Sequence, residues 1–158
     1  IVLMVAGGSA GYHFLVNDTG AKSLYDTYYT PLDYTESYMV NTNSFTVAKQ
    51  KYMDGDYKQA FMLLKDLPSS ITIQVERDFF IALSLMEIDK HSSAIRYFNK
   101  VLHDKKGYEF IPQVRWYKGM CYLKLDQQDK AMASLQKLVD NRSYNHKKAK
   151  DILQKLTN

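Results

Sequence analysis

The sequence predicts an all-α chain: three helical hairpins stacked as a solenoid, closed by a C-terminal capping helix and preceded by an apolar N-terminal helix. Three observations carry this. A segment centred on an alanine recurs three times, at Ala60, Ala94 and Ala131. Only three prolines and seven glycines interrupt 158 residues, which leaves room for long helices. The chain also opens on seventeen residues without Asp, Glu, Lys or Arg, the first such residue being Asp18. The length suits about one domain, and 46% hydrophobic with 24% charged residues is the composition of a folded chain.

The opening run, Ile1-Val2-Leu3-Met4-Val5-Ala6-Gly7-Gly8-Ser9-Ala10-Gly11-Tyr12-His13-Phe14-Leu15-Val16, would be about 24 Å long as a helix, against about 30 Å of bilayer hydrocarbon. With no starting methionine, residues 1–17 are read as the second part of a transmembrane helix whose beginning is missing. Gly7 and Gly11 share one face, the small-residue spacing that a close helix contact in lipid uses. A signal-peptide core has a similar length, with Gly8-Ser9-Ala10 as a small-x-small cleavage site. A buried soluble helix is disfavoured by three glycines within five residues, each costing about 1 kcal/mol. Between residues 17 and 43 a single lysine, Lys22, faces Asp18, Asp26, Asp33 and Glu36, so this flank is expected on the outer side of a membrane.

Residues 18–43 form a tyrosine-rich arm. Residues 19–29 suit a short helix with Leu24 and Tyr28 on one face, and Pro31 forces its exit. Tyrosines here fit an interfacial belt or packing on the repeats; the later ones are expected to pack, because so many rings would otherwise stay exposed.

The repeats occupy residues 44–158 with the capping helix. The key alanines lie 34 and 37 residues apart, as their numbers give. Each unit reads as helix A, a tight turn and helix B. Small residues (Ala48, Ala82 and Gly119 in helix A; Ala60, Ala94 and Ala131 in helix B) allow close approach, and larger ones (Tyr52, Leu85, Tyr122; Leu64, Phe98, Leu135) fill the space between. Gly55 suits a left-handed turn, with Asp89 and Asp126 in its place in the other units. Asp56, with Gln59 three residues on, is expected to cap the first helix B. The three extra residues fall near Gly107-Tyr108-Glu109-Phe110, expected as a loop, and Pro112 suits the first turn of the next helix. Residues 145–156 read as the capping helix, with Ala149, Ile152, Leu153 and Leu156 inward and Lys147, Lys148, Lys150 and Lys155 largely outward.

The pattern Trp116, Gly119, Tyr122, Ala131, with its partial copies upstream, resembles the tetratricopeptide-repeat (TPR) family over residues 44–140. An apolar helix, the Tyr28-Tyr29-Thr30-Pro31 arm and a short array together resemble membrane-anchored periplasmic TPR proteins of Gram-negative bacteria. The resemblance implies that helix A surfaces line a groove for a peptide or a partner's helix. By register these are Phe45, Lys49, Tyr52 and Met53; Phe79, Leu83 and Met86; and Trp116, Met120, Leu123 and Lys124. An aromatic and methionine-rich lining suits an apolar segment, and the chain's own arm competes for it. With Lys49 and Lys124 its only cations, the groove lacks a terminal-carboxylate clamp.

The sequence outlines no active site, and neither enzyme activity nor a cofactor is expected. His13, His91, His103 and His146 have no second ligand at metal spacing, and no phosphate loop or nucleophile elbow occurs. Asp54-Gly55-Asp56 lacks the rest of a calcium loop. Cys121, the lone cysteine, reads as a core residue and excludes an internal disulfide. From Asn99 onward 13 Lys/Arg face 6 Asp/Glu, against 8 and 11 before it. That basic half reads as a solvated face, without the arginine-interleaved aromatics of a nucleic-acid groove. The expected function is therefore a membrane-anchored adaptor or assembly subunit that binds a membrane or periplasmic protein. The alternative is a soluble or secreted module regulating an enzyme or a secretion machine.

Overall fold

The computed structural model describes residues 20–33, 44–68 and 73–157, all helix, turn and coil without strands. Residues 1–17, with Gly7 and Gly11, and residues 34–43 of the arm lie outside the described residues. The element order is α1 (Ala21–Tyr28), α2 (Ser44–Met53), α3 (Tyr57–Asp66), α4 (Gln74–Glu87), α5 (His91–His103), a 3-10 helix (Lys105–Phe110), α6 (Ile111–Lys124), α7 (Gln128–Asp140) and α8 (His146–Thr157). Consecutive helices pack as hairpins α2–α3, α4–α5 and α6–α7, and α8 closes on α7. This is the hairpin stack expected from the alanine period.

Each hairpin turns through the same hydrogen-bonded motif. Gly55 donates to Tyr52 O (3.1 Å) and Asp56 to Lys51 O (2.9 Å). Asp89 and Lys90 repeat it on Met86 (3.0 Å) and Leu85 (2.8 Å), and Asp126 and Gln127 on Leu123 (3.0 Å) and Tyr122 (2.8 Å). These are paired 5→2 and 6→1 bonds, which satisfy the last carbonyls of helix A only if the first donor is left-handed. Gly55 has φ 80°, Asp89 59° and Asp126 55°. The two aspartates therefore do occupy the glycine position, at some steric cost. Asp126→Gly is expected to raise stability by about 0.5–1 kcal/mol, measurable as a shifted urea midpoint at constant slope. The expected Asp56 cap is absent: Asp56 precedes α3 but its side chain makes no capping hydrogen bond. With its own amide already bonded to Lys51 O, Asp56 takes φ −85°, ψ 61°, outside the extended region from which a cap's side chain reaches the helix amides.

The small residues make the helix contacts assigned to them. Ala48, Ala82, Ala60, Ala94 and Ala131 are fully buried. A methyl on Gly119 would meet Leu135 Cδ2 at 2.8 Å, so α6 and α7 approach closely there and a larger residue would make Leu135 shift. Leu64, Phe98 and Leu135 are likewise fully enclosed, and one continuous core runs from Leu24 of α1 to Ile152 of α8. Leu153 and Leu156 are partly buried against that core, while Lys147, Lys148, Lys150 and Lys155 are exposed.

The three extra residues between the second and third hairpins are not an open loop. They wind into the 3-10 helix, started by Asp104, whose side chain accepts from the Lys106 amide (2.8 Å). Phe110 then folds against Phe79, ring centroids 5.0 Å apart. Pro112 sits in the first turn of α6 as expected.

Candidate functional site

The helix A members of the hairpins form one face, α2 touching α4 and α4 touching α6. The structure places most of the residues named for that face by register inside the hairpin stack; Phe79, for instance, packs on Phe98 and Phe110. Phe45, Lys49, Tyr52, Phe79, Leu83, Met86, Trp116, Met120 and Leu123 are all buried; only Met53 and Lys124 are half-exposed. Lys49 is neutralised by Glu76 (2.9 Å), its ammonium 5.0 Å from the centre of the Phe45 ring. None of the nine therefore offers free surface to a partner in this state.

The arm lies along the C-terminal ends of these helices, at Met53, Glu87 and Lys124. α1 packs on α6 and touches α8, burying Ala21, Leu24 and Tyr25. An eight-residue helix is not stable alone, so its order comes from that apolar stripe. After Tyr28 the chain becomes extended, with Tyr29 at ψ 133°.

The contacts follow a simple order. In each hairpin the residue two before the left-handed turn is Met53, Glu87 or Lys124, and the arm meets all three. Asp26 pairs with Lys124 (3.1 Å), whose ammonium also lies 4.6 Å from the Tyr25 ring centre. The Tyr29 hydroxyl donates to Glu87. Pro31, Leu32 and Asp33 share a shallow hollow with Tyr52, Met53 and Tyr57. A fourth contact reaches α8, where the Tyr28 hydroxyl donates to Asp151 and accepts from Lys155 (2.6 Å). The arm thus runs antiparallel to the repeat order, meeting one such position per hairpin.

Rings fix the middle of the arm. Tyr25 stacks on Tyr29 (4.7 Å, 10°), while Tyr29 meets Tyr117 edge-on (6.3 Å) and Tyr25 meets His91 edge-on (5.5 Å). Burial raises the Tyr25 and Tyr117 hydroxyls well above the ordinary tyrosine range. His91 is buried, its ring nitrogens without a hydrogen bond among the described residues and Nε2 3.5 Å from Asp89. Burial lowers its pKa, opposed by Asp89 and reinforced by Lys124.

Glu87 was not among the residues named from sequence, although it lies 34 after Met53 and 37 before Lys124, the alanine spacings. Its carboxyl is pushed up to about 7, first by burial and then by the Asp89 charge. Because the folded value lies above the ordinary one, Glu87 favours the folded, arm-covered state when protonated. That contribution is present below about 4.5 and is lost as pH rises through about 7. His91 acts oppositely, favouring the same state above its ordinary 6.5 and weakening it on acidification. Glu87→Gln is therefore expected to flatten the loss of thermal stability between about pH 5 and pH 8 while leaving the acid limb in place. Thermal melts across pH check this.

Among the described residues no group of three His, Cys, Asp or Glu could hold a metal ion. Cys121 is buried and its thiol is raised by that burial, so it is a poor nucleophile. Residues 113–143 match a family model described as tetratricopeptide repeat, while no curated protein and no solved structure gives a significant match. The matched span covers most of α6, the turn at Asp126 and all of α7, and together with the repeated hairpins it supports a tetratricopeptide-repeat family for this chain.

Proposed function

We propose that this chain is a membrane-anchored adaptor or assembly subunit that docks another protein on its helix A face, with no catalytic step and no cofactor of its own. A repeat of this kind suggests a protein-interaction or scaffold role. The observation that carries the reading is the build of the face: an apolar, aromatic lining ending in one half-exposed residue per hairpin, Met53, Glu87 and Lys124. Such a surface accepts a segment of chain, and here it already holds one.

Support for the anchor comes from the uncharged opening segment and the acidic flank behind it. No helix among the described residues is long and apolar enough to cross a membrane, and residues 1–17 lie outside them. An exported TPR domain facing the periplasm of a Gram-negative cell, bound to a membrane or periplasmic protein, is the setting that the Tyr28-Tyr29-Thr30-Pro31 arm and apolar helix fit. Nucleic acid is not part of the proposal.

Purification of the native protein from membranes in mild detergent, with mass spectrometry, tests both halves. Stoichiometric co-purification of another protein is the expected result. A chain that carries residues 1–16 and stays monodisperse without detergent would remove the anchor and leave a soluble regulatory module.

A further inference from the structure

The arm is also a template. We propose that the helix A face accepts, from a partner protein, a short acidic tyrosine-bearing segment with the spacing Asp-x-Tyr-Tyr-x-x-Leu, in exchange for the chain's own residues 26–32. This rests on the docking role proposed above and names the chemistry of its ligand.

The spacing follows from contacts already in place. Asp26 answers Lys124, the Tyr28 hydroxyl lies between Asp151 and Lys155, and the Tyr29 hydroxyl answers Glu87. Leu32 lines the same shallow hollow as Met53 and packs against the core. The ends of the three helix A members and the adjoining face of α8 are thus read by charge, hydroxyl, hydroxyl and apolar group, a sequence-specific pattern rather than general stickiness.

The same contacts make exchange feasible. Only Ala21, Leu24 and Tyr25 of α1 are buried; Asp26 is exposed, and Tyr28, Tyr29 and Leu32 are half-buried. Much of the arm's hold is therefore polar and partly wet, the kind that contributes little per contact. The arm wins by being tethered, since a covalently attached segment acts at a local concentration near the millimolar range. A partner held beside the domain in an assembly gains the same advantage. Exchange also involves the charge cluster beneath: Tyr25, Asp26 and Tyr29 from the arm face Glu87, Asp89, His91, Tyr117, Cys121 and Lys124 below. A replacing segment must offer the buried polar groups there equivalent partners.

A fluorescent peptide of residues 20–33 is the probe, titrated into the full chain and into full-chain Leu24→Asp, which unseats α1. Saturable binding to the variant, at least about tenfold tighter than to the native chain, is expected. Adding Lys124→Glu to the variant should weaken binding roughly two- to fivefold, and a peptide carrying Asp26→Lys should recover it. Equal affinity for native chain and variant would overturn the proposal, as would no binding to a variant whose circular dichroism remains native. Should Leu24→Asp fail to fold, Asp26→Lys at an exposed position gives the same comparison, with a smaller expected difference and the same overturning outcomes. A stable dimer of the unseated variant that excludes the peptide would assign the face to a second copy's arm and overturn the partner reading. If a native partner is captured but the peptide does not compete with it, the docking role stands and the ligand chemistry named here falls.

Discussion

Gly107→Ala is expected to destabilise the protein by about 3 kcal/mol or more. A Cβ at this position would lie 2.2 Å from the Val101 carbonyl oxygen and 3.2 Å from its carbon. The obstacle is backbone, held in the last turns of α5, so no side-chain rotation relieves it. Either the 3-10 helix unwinds or α5 frays, and both withdraw Phe110 from Phe79. The same residue forms the bridge by which three extra residues are absorbed without separating the second and third hairpins. Chemical denaturation checks the magnitude. A change smaller than about 1 kcal/mol would mean that the segment relaxes without loss.

Trp116→Ala is the second large effect, expected at about 3–5 kcal/mol. Trp116 is 1% exposed and belongs to the continuous core. Truncation leaves a cavity that Met120 and Leu123, themselves fully buried, cannot fill. The indole N–H has no hydrogen-bond partner among the described residues, so little polar energy is lost with it; the cost is volume. The consequence for function is specific. Lost partner capture in Trp116→Ala would report unfolding, and the same holds for Met120→Glu, which buries a charge at zero exposure. Variants that probe the face without breaking it lie at its half-exposed ends: Met53, Glu87 and Lys124. For Lys124→Ala, unchanged melting together with altered binding separates recognition from stability.

Much of the fold was legible in the sequence because hairpin geometry is local. The 34- and 37-residue spacings located the hairpins, and the residues five before each alanine proved to be the left-handed turns, including the two aspartates. Ala149 and Ile152 identified the buried stripe of α8 for the same reason. The 3-10 winding after Asp104 was not legible, since it depends on Val101 and Phe79 rather than on its own composition.

The face was legible in register but not in state. An apolar lining reads alike whether a partner or the chain itself covers it. What decides is contact between residues 98 apart (Lys124 with Asp26) and 127 apart (Lys155 with Tyr28), which no local pattern encodes. Glu87 was missed for a related reason. Apolar character drew attention to Phe79, Leu83 and Met86, and a carboxylate in that row reads as solvated until Tyr29 is placed against it. The signal that could have found it was the repeat itself, which aligns Glu87 with Met53 and Lys124.

Arm docking on the helix A face is tested most directly by zero-length carbodiimide cross-linking of the native chain, followed by peptide mass spectrometry. Asp26 and Lys124, 3.1 Å apart, should be joined by an amide bond within the monomer, and Leu24→Asp should abolish that link. A monomer in which Asp26 couples elsewhere, or an Asp26–Lys124 link found only between two molecules, would contradict a face covered by the chain's own arm.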